Sequence, residues 1–339
     1  MARRSGCGIP ALFVLILVVV GGWSGYWWYL SNQIRSQLTA TGARLEAAGW
    51  TVDHAEPRIA GWPFRFHVTL NDLTVTGPSG HGVRTASLEA EANAYGIDHW
   101  VLVAPEGLEL GRGSKGWVSV QGFALRASAT DLLQRPPRLI VEFVQPRFVP
   151  TEGSQPFPIT QAERLIINLV PQPDQPNQAG LLFDLTNATP RPGGVLASMS
   201  EQRPFYLSAE AVIDHTEALS GGTWRQALTG WSQAQGALTE VRLEATAGED
   251  FVRGQSPRLT ADANGRIQGS LATELRGGTA PLAGLAQAPG VDPRAAAAVT
   301  LGAQLTSGFR GETELTLNFT NGRTVIGPVL DGLHRRRPF

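Results

Sequence analysis

The chain has 339 residues, of which 42% are hydrophobic and only 17% charged, well under the ~25% usual for soluble domains. That composition excludes a largely disordered chain, and a net charge of −1 excludes a nucleic-acid binder working through a basic field. The single cysteine, Cys7, excludes an internal disulfide framework, zinc ribbons and CxxC redox chemistry.

Residues 1–8 form a short tail containing Arg3 and Arg4, expected on the cytosolic side. Ile9 to Leu30 follows, 22 residues without a charge. At 1.5 Å rise per residue this run spans the ~30 Å hydrocarbon core of a bilayer. No acidic residue occurs before residue 31. Positive charge stays cytosolic, so the amino terminus is expected inside and the bulk of the chain in the periplasm of a bacterial inner membrane. A bacterial source fits the basic residues, since Lys115 is the only lysine. Trp23, Tyr26, Trp27, Trp28 and Tyr29 form an interfacial aromatic belt at the outer end. A cleaved signal peptide would carry small residues there, so the anchor is expected to be retained. Cys7 precedes the apolar run and is therefore not a lipobox cysteine.

Residues 31–49 read as a juxtamembrane helix, with Ile34, Leu38, Thr41 and Leu45 on one stripe and Gly49 as its stop. From Trp50 the period changes to two. Phe64, Phe66, Val68 and Leu70 alternate with polar residues. Leu73 and Val75 then continue in the opposite phase, which predicts a bulge near Asn71-Asp72. Ala86, Leu88, Ala90, Ala92 and Ala94 alternate in the same way. Further strands are expected at 117–126, 138–144, 165–170, 181–185, 205–212, 238–245, 259–262, 266–275 and 312–319. The Pro-rich stretches 171–176 and 190–194 are loops, offering a weak boundary between two lobes near 171–200. Short helices are expected at 223–233, 281–288 and 292–301.

Motifs that would carry chemistry mostly fail on context. Gly111 to Gly116 matches GxGxxG, but a strand pattern at Trp117 follows where a phosphate-binding helix is required, so a hairpin turn is favoured. The six histidines never fall at ligand spacings. Glu89 with Glu91, and Glu312 with Glu314, sit two apart on strands, as a glycosidase pair could, and also as a solvated sheet face does. The sequons at Asn187 and Asn318 are uninformative in a bacterial chain. Arg335 to Arg337 read as a solvated tail, with anionic lipid as the sharper alternative.

Gly61-Trp62-Pro63-Phe64-Arg65 leads into an alternating strand ending Leu70-Asn71-Asp72-Leu73. Much later come the Leu259–Gly269 and Leu315–Pro328 segments, with Asn264-Gly265 and Asn321-Gly322 inside them. Behind one N-terminal anchor, this pattern resembles the alphaproteobacterial domain-of-unknown-function family 2125 over nearly the whole chain. The resemblance carries no catalytic residue across. The repeated short β units also look like AsmA-type envelope proteins, whose sheets curl into lipid-bearing grooves. This chain is short beside the bridge-like members, which argues against a membrane-to-membrane conduit. Independently of any family, Gly265 and Gly322 are placed as structural turn residues, since type I′ hairpins need φ > 0 at both central positions.

The expected architecture is mainly β: one transmembrane helix (9–30), a juxtamembrane helix (31–49), then a large curved antiparallel sheet (50–339) with a few short helices. The expected role is non-enzymatic, in the cell envelope, with membrane lipid as partner on an apolar sheet face. Phe64, Phe66, Val68, Leu70 and Leu88 are the candidate lipid-facing residues. The alternative is a scaffold for envelope protein partners, and a glycan-acting enzyme comes third. No catalytic, metal or cofactor-binding residue is assigned, and no nucleic acid is expected.

Overall fold

The computed structural model describes residues 8–132, 134, 136–219, 223–262, 264–276 and 312–327. Helix α1 (Gly8–Ala47) runs through the apolar segment and the juxtamembrane stretch without a break. At 1.5 Å per residue it is about 60 Å long. It stops in a Schellman motif at Gly49, whose φ is +84°. Gly49 N–H donates to the Glu46 carbonyl at 2.9 Å and Trp50 N–H to that of Leu45 at 3.0 Å.

The rest of the described chain is one 19-stranded sheet, antiparallel at every pairing among the described residues. Strands β1 (Thr51–Asp53) and β2 (Arg58–Ala60) both lie along β3 (Arg65–Thr76), which pairs with β4 (His81–Asn93). Four long, once-broken strands follow. They are β5 (Gly96–Val103) with β6 (Leu108–Arg112), β7 (Trp117–Gln121) with β8 (Ala124–Thr130), β9 (Arg138–Val144) with β10 (Arg147–Pro150), and β11 (Ile159–Gln161) with β12 (Arg164–Pro171). One half of each break pairs in the series β4-β5-β8-β9-β12, the other in the series β4-β6-β7-β10-β11. Both series rejoin on β13 (Ala179–Pro190). A plain meander completes the sheet: β14 (Phe205–Ile213), β15 (Ala237–Ala247), β16 (Asp250–Ala261), β17 (Ile267–Arg276), β18 (Thr313–Thr320) and β19 (Arg323–Gly327). Among the described residues two short α-helices interrupt it, α2 (Val195–Met199) and α3 (Trp224–Gln233), the latter opened by a Thr223–Gln226 capping box.

The breaks lie side by side and form a crease across the sheet. Backbone bonds join them: Ala104 N–H to Leu125 O at 3.0 Å, Phe123 to Val144 at 3.0 Å, Gln145 to Glu163 at 2.8 Å and Glu163 to Thr186 at 3.0 Å. Positive φ at Gln145 (+51°) and Asn187 (+50°) turns the chain at this level. Residues from both sides of the crease, among them Val118, Val120 and Phe148 on one and Leu125, Phe143 and Leu165 on the other, share one buried cluster. The sheet is therefore folded toward the side on which these residues stand.

Several expectations need correction. Asp72 is at φ +53°, but the β3–β4 register runs unshifted past it, because Asp72 and Ala86 both drop out of the ladder. The phase reversal expected on one strand thus occurs on two. The strand expected at 117–126 is cut at the crease, and β16 begins well before residue 259. Pairing continues from β12 through β13 to β14, so the sheet is not interrupted between 171 and 200. Asn321 (φ +53°) and Gly322 (φ +75°) occupy the centre of a two-residue hairpin closed by Thr320 and Arg323, as type I′ requires. Gly265 (φ +74°) instead closes a turn by donating to Asp262 O at 2.8 Å, with Asp262 N–H bonded to Arg266 O at 2.9 Å. The helices expected at 281–288 and 292–301, Cys7 and the arginine tail lie outside the described residues.

Candidate functional site

Cross-strand partners stand on the same side of a sheet, so the register sorts every residue into one of two faces. One row runs Ile59–Val68–Ala90–Leu102–Ala127–Val141 and continues Ile167–Phe183–Ala209–Leu243–Gly254–Thr273–Leu315. No charge interrupts it. A parallel row two residues away reads Phe66–Ala92–Trp100–Ala129–Leu139–Leu169–Leu181–Ala211, equally apolar. The opposite face carries Arg126, Glu142, Asp184, Glu244, Arg253 and Glu274. There Glu142 is bonded by Arg126 Nε (2.6 Å) and Arg164 Nε (2.7 Å), and Glu244 by Arg253 Nε (3.0 Å). Burial alone pushes the Glu142 carboxyl up, yet the two guanidiniums outweigh it and hold it below the usual carboxylate range.

The apolar face is covered at its ends and open in the middle. Val68 is 3% exposed, while Thr273 and Leu315 are buried near the Leu271–Leu275 cluster. Between them Leu102, Val141, Phe183 and Leu243 are only half-buried, Leu139 is 37% exposed and Ile167 43%. Six inter-strand steps of about 4.8 Å make this open stretch about 29 Å long. Water is a poor solvent for such a surface, and soluble proteins rarely leave one uncovered.

Of the residues picked from strand alternation, Phe66, Val68, Leu70 and Leu88 stand on this face at its β3–β4 end, outside the open middle. Phe66 is 0% exposed: Leu30, Trp27 and Ile34 of α1 pack over it, with the Trp27 and Phe66 rings stacked at 5.4 Å. Phe66 and Val68 thus have no surface to offer a ligand. Leu70 and Leu88 face each other across β3–β4 and are half-buried, and Phe64 precedes β3 with 64% of its surface exposed. The open residues Leu139, Ile167, Leu169 and Leu181 were missed. They sit in runs such as Leu139-Ile-Val-Glu-Phe-Val144 and Leu165-Ile-Ile-Asn-Leu-Val170, where both faces are mostly apolar and alternation is weak.

Two members of the expected aromatic belt are turned toward the sheet. Trp23 Nε1 donates to the Pro63 carbonyl at 2.8 Å and Trp27 Nε1 to the Arg65 carbonyl at 3.0 Å. The bare part of α1 precedes this clamp, with Leu12 to Val20 each 45–65% exposed. Ser31, just beyond it, is 6% exposed.

The remaining motifs are absorbed by local structure. Gly113–Lys115 forms a single 3-10 turn between β6 and β7, and Trp117 N–H donates to Ser154 Oγ at 2.8 Å. Glu91 is held by His67 (2.9 Å) and Arg65 (3.6 Å), and Glu312 by Arg276. Among the described residues no three of His, Cys, Asp or Glu are grouped so as to hold a metal ion. Two open clefts, of about 360 and 300 Å³, lie on the polar side. The larger contains Arg84, Glu106 and Glu109, with the Arg84 guanidinium 3.9 Å from the Trp117 ring centre.

The model of the family described as "Uncharacterized protein conserved in bacteria (DUF2125)" matches residues 27–330, from the Trp27 clamp onward. No curated protein and no solved structure matches the chain.

Proposed function

The chain belongs to the DUF2125 family, and from that premise we propose a non-enzymatic, membrane-anchored protein of the bacterial inner membrane whose sheet shields lipid acyl chains in the periplasm. The observation that carries this reading is the charge-free row from Leu102 to Leu243, half-open over about 29 Å. One leaflet of the ~30 Å hydrocarbon core is about half that long, so an acyl chain fits within the row. Each CH₂ buried there gains ~0.8 kcal/mol. The apolar run Ile9–Leu30, with Leu12–Val20 bare on every side, serves as the anchor, and Arg3 and Arg4 keep its amino terminus in the cytoplasm.

The test places a photo-crosslinking amino acid at Ile167 or Leu139 in the full chain, in native membranes, with Arg242 on the opposite face as control. Lipid adducts detected by mass spectrometry are expected at the first two positions and not at the control. Protein adducts at Ile167 and Leu139, without lipid, would overturn the reading in favour of a scaffold.

A further inference from the structure

The clamp between α1 and the sheet fixes the height of two turns. With Trp23 bonded to Pro63 and Trp27 to Arg65, the turn at 61–64 lies against α1 between these two indoles. Ala94 N–H donates to the Phe64 carbonyl at 2.9 Å and Arg65 pairs with Asn93, which brings the β4–β5 turn to the same place. Three aromatic side chains on these turns have little cover: Trp62 is 55% exposed, Phe64 64% and Tyr95 74%. Trp23 opens the aromatic belt that ends the apolar run, and Leu30, the last residue of that run, follows by about 10 Å of helix. A bilayer whose periplasmic headgroup region takes the Trp23–Tyr29 aromatic belt has that region at the height of both turns. Trp and Tyr favour that zone, having an apolar body and a polar tip. The exposed Arg65 has a stem long enough to reach lipid phosphates from there.

We propose that these two turns seat in the periplasmic headgroup region of the bilayer that holds α1, with Trp62, Phe64 and Tyr95 inserted as a second anchor. The inference rests on the anchor reading above. One helix alone leaves a sheet free to swing, whereas a helix and two inserted turns fix its tilt. The end of the apolar face at Phe66 and Trp100 then points at the membrane.

The full chain in a Cys7→Ser background tests this. Trp62→Cys, Phe64→Cys or Tyr95→Cys is labelled with an environment-sensitive fluorophore, with Val18→Cys and Ile267→Cys as references. Each is reconstituted in phosphatidylethanolamine–phosphatidylglycerol vesicles carrying nitroxide lipids. The three turn probes should be blue-shifted and quenched more by headgroup nitroxide than by nitroxide at the chain end. Val18 should show the reverse preference, and Ile267 no quenching. Quenching at Val18 but at none of the turn positions overturns the inference and leaves the anchor standing. An unquenched Val18 removes the anchor reading and the inference with it. Blue shift without lipid quenching at the turns, or equal quenching at Ile267, also overturns the proposal. Tyr95 lies outside the Trp62–Phe64 turn, so its variant reports even where the other two disturb that turn.

Discussion

Leu165 and Ile167 stand two residues apart on one strand and on one face, yet Leu165 is 8% exposed and Ile167 43%. Leu165 lies at the crease, where the folded sheet brings Val118, Val120 and Phe148 against it and Phe143. Ile167 lies one pleat further out and is not part of the crease cluster, although its row neighbours Val141 and Phe183 pack against the edge of that cluster. Side-chain chemistry is the same in both rows, so distance from the crease decides which becomes core and which becomes an open surface.

The sharpest way to break this comparison is to truncate one residue in each row. Phe143→Ala removes a ring that is 9% exposed inside the crease cluster and should cost about 3–5 kcal/mol of unfolding free energy. Ile167→Ala should cost less than about 1 kcal/mol while reducing lipid capture. Denaturant titration separates them, and equal midpoints would show that the open row is core after all.

The hairpin ends test whether the meander beyond β13 is as tightly determined as the crease. Gly322→Val forces a β-branched residue to φ +75° and puts its Cβ 2.8 Å from Arg266 Cδ. Gly265→Val, at φ +74°, meets Leu228 Cδ1 at 2.8 Å. Each should lose roughly 1–3 kcal/mol, with the thermal midpoint falling accordingly. Unchanged midpoints would mark both as ordinary loop glycines.

Much of the sheet was legible because half-buried strands alternate cleanly: β3, β4, β14 and β15 were readable from period two alone. β10 was not, since Arg147-Phe-Val-Pro150 is short and ends in proline, and β6 carries a glycine in five residues. The crease was invisible because Gln145 and Asn187 turn the chain without the glycine that usually marks positive φ. Alternation showed that Phe66 and Val68 share a face but not that α1 covers it. Conversely, β9 and β12 are apolar on both sides, so only the register tells which residues are open. The candidate site therefore depends on pairing, which lies beyond local pattern.

Glu142 sharpens the contrast between the two faces, being one residue from Phe143 and on the polar side. Its folded carboxyl is held below the ordinary value, so its contribution is fully present above about pH 4.5 and is lost as pH falls through the lower folded value. Glu142→Gln leaves Arg126 and Arg164 without their shared counter-charge. Both side chains are 52% exposed, so solvent screens them and the loss should be about 1–2 kcal/mol at pH 7. The variant should also lose part of the acid-induced decline in stability expected of the parent. A parallel pH profile in parent and variant would show that the cluster contributes nothing to folding.

A small effect is expected at the α1 junction, where apolar packing and two indole hydrogen bonds act together. Replacing Trp27 with Phe keeps an aromatic ring over Phe66 but leaves the Arg65 carbonyl without its donor, a loss of about 1 kcal/mol. Trp23→Phe does the same to the Pro63 carbonyl. Neither change touches the crease, so the unfolding midpoint of the sheet should stay put. What should change is the coupling of helix to sheet. Spin labels at Tyr29 and Glu91 in a Cys7→Ser background should give a narrow distance distribution in the parent and a broad one in the Trp23→Phe, Trp27→Phe double variant. An unchanged distribution would mean that Leu30, Ile34 and Phe66 hold the junction by packing alone, and that the indole bonds are incidental to how the sheet is carried.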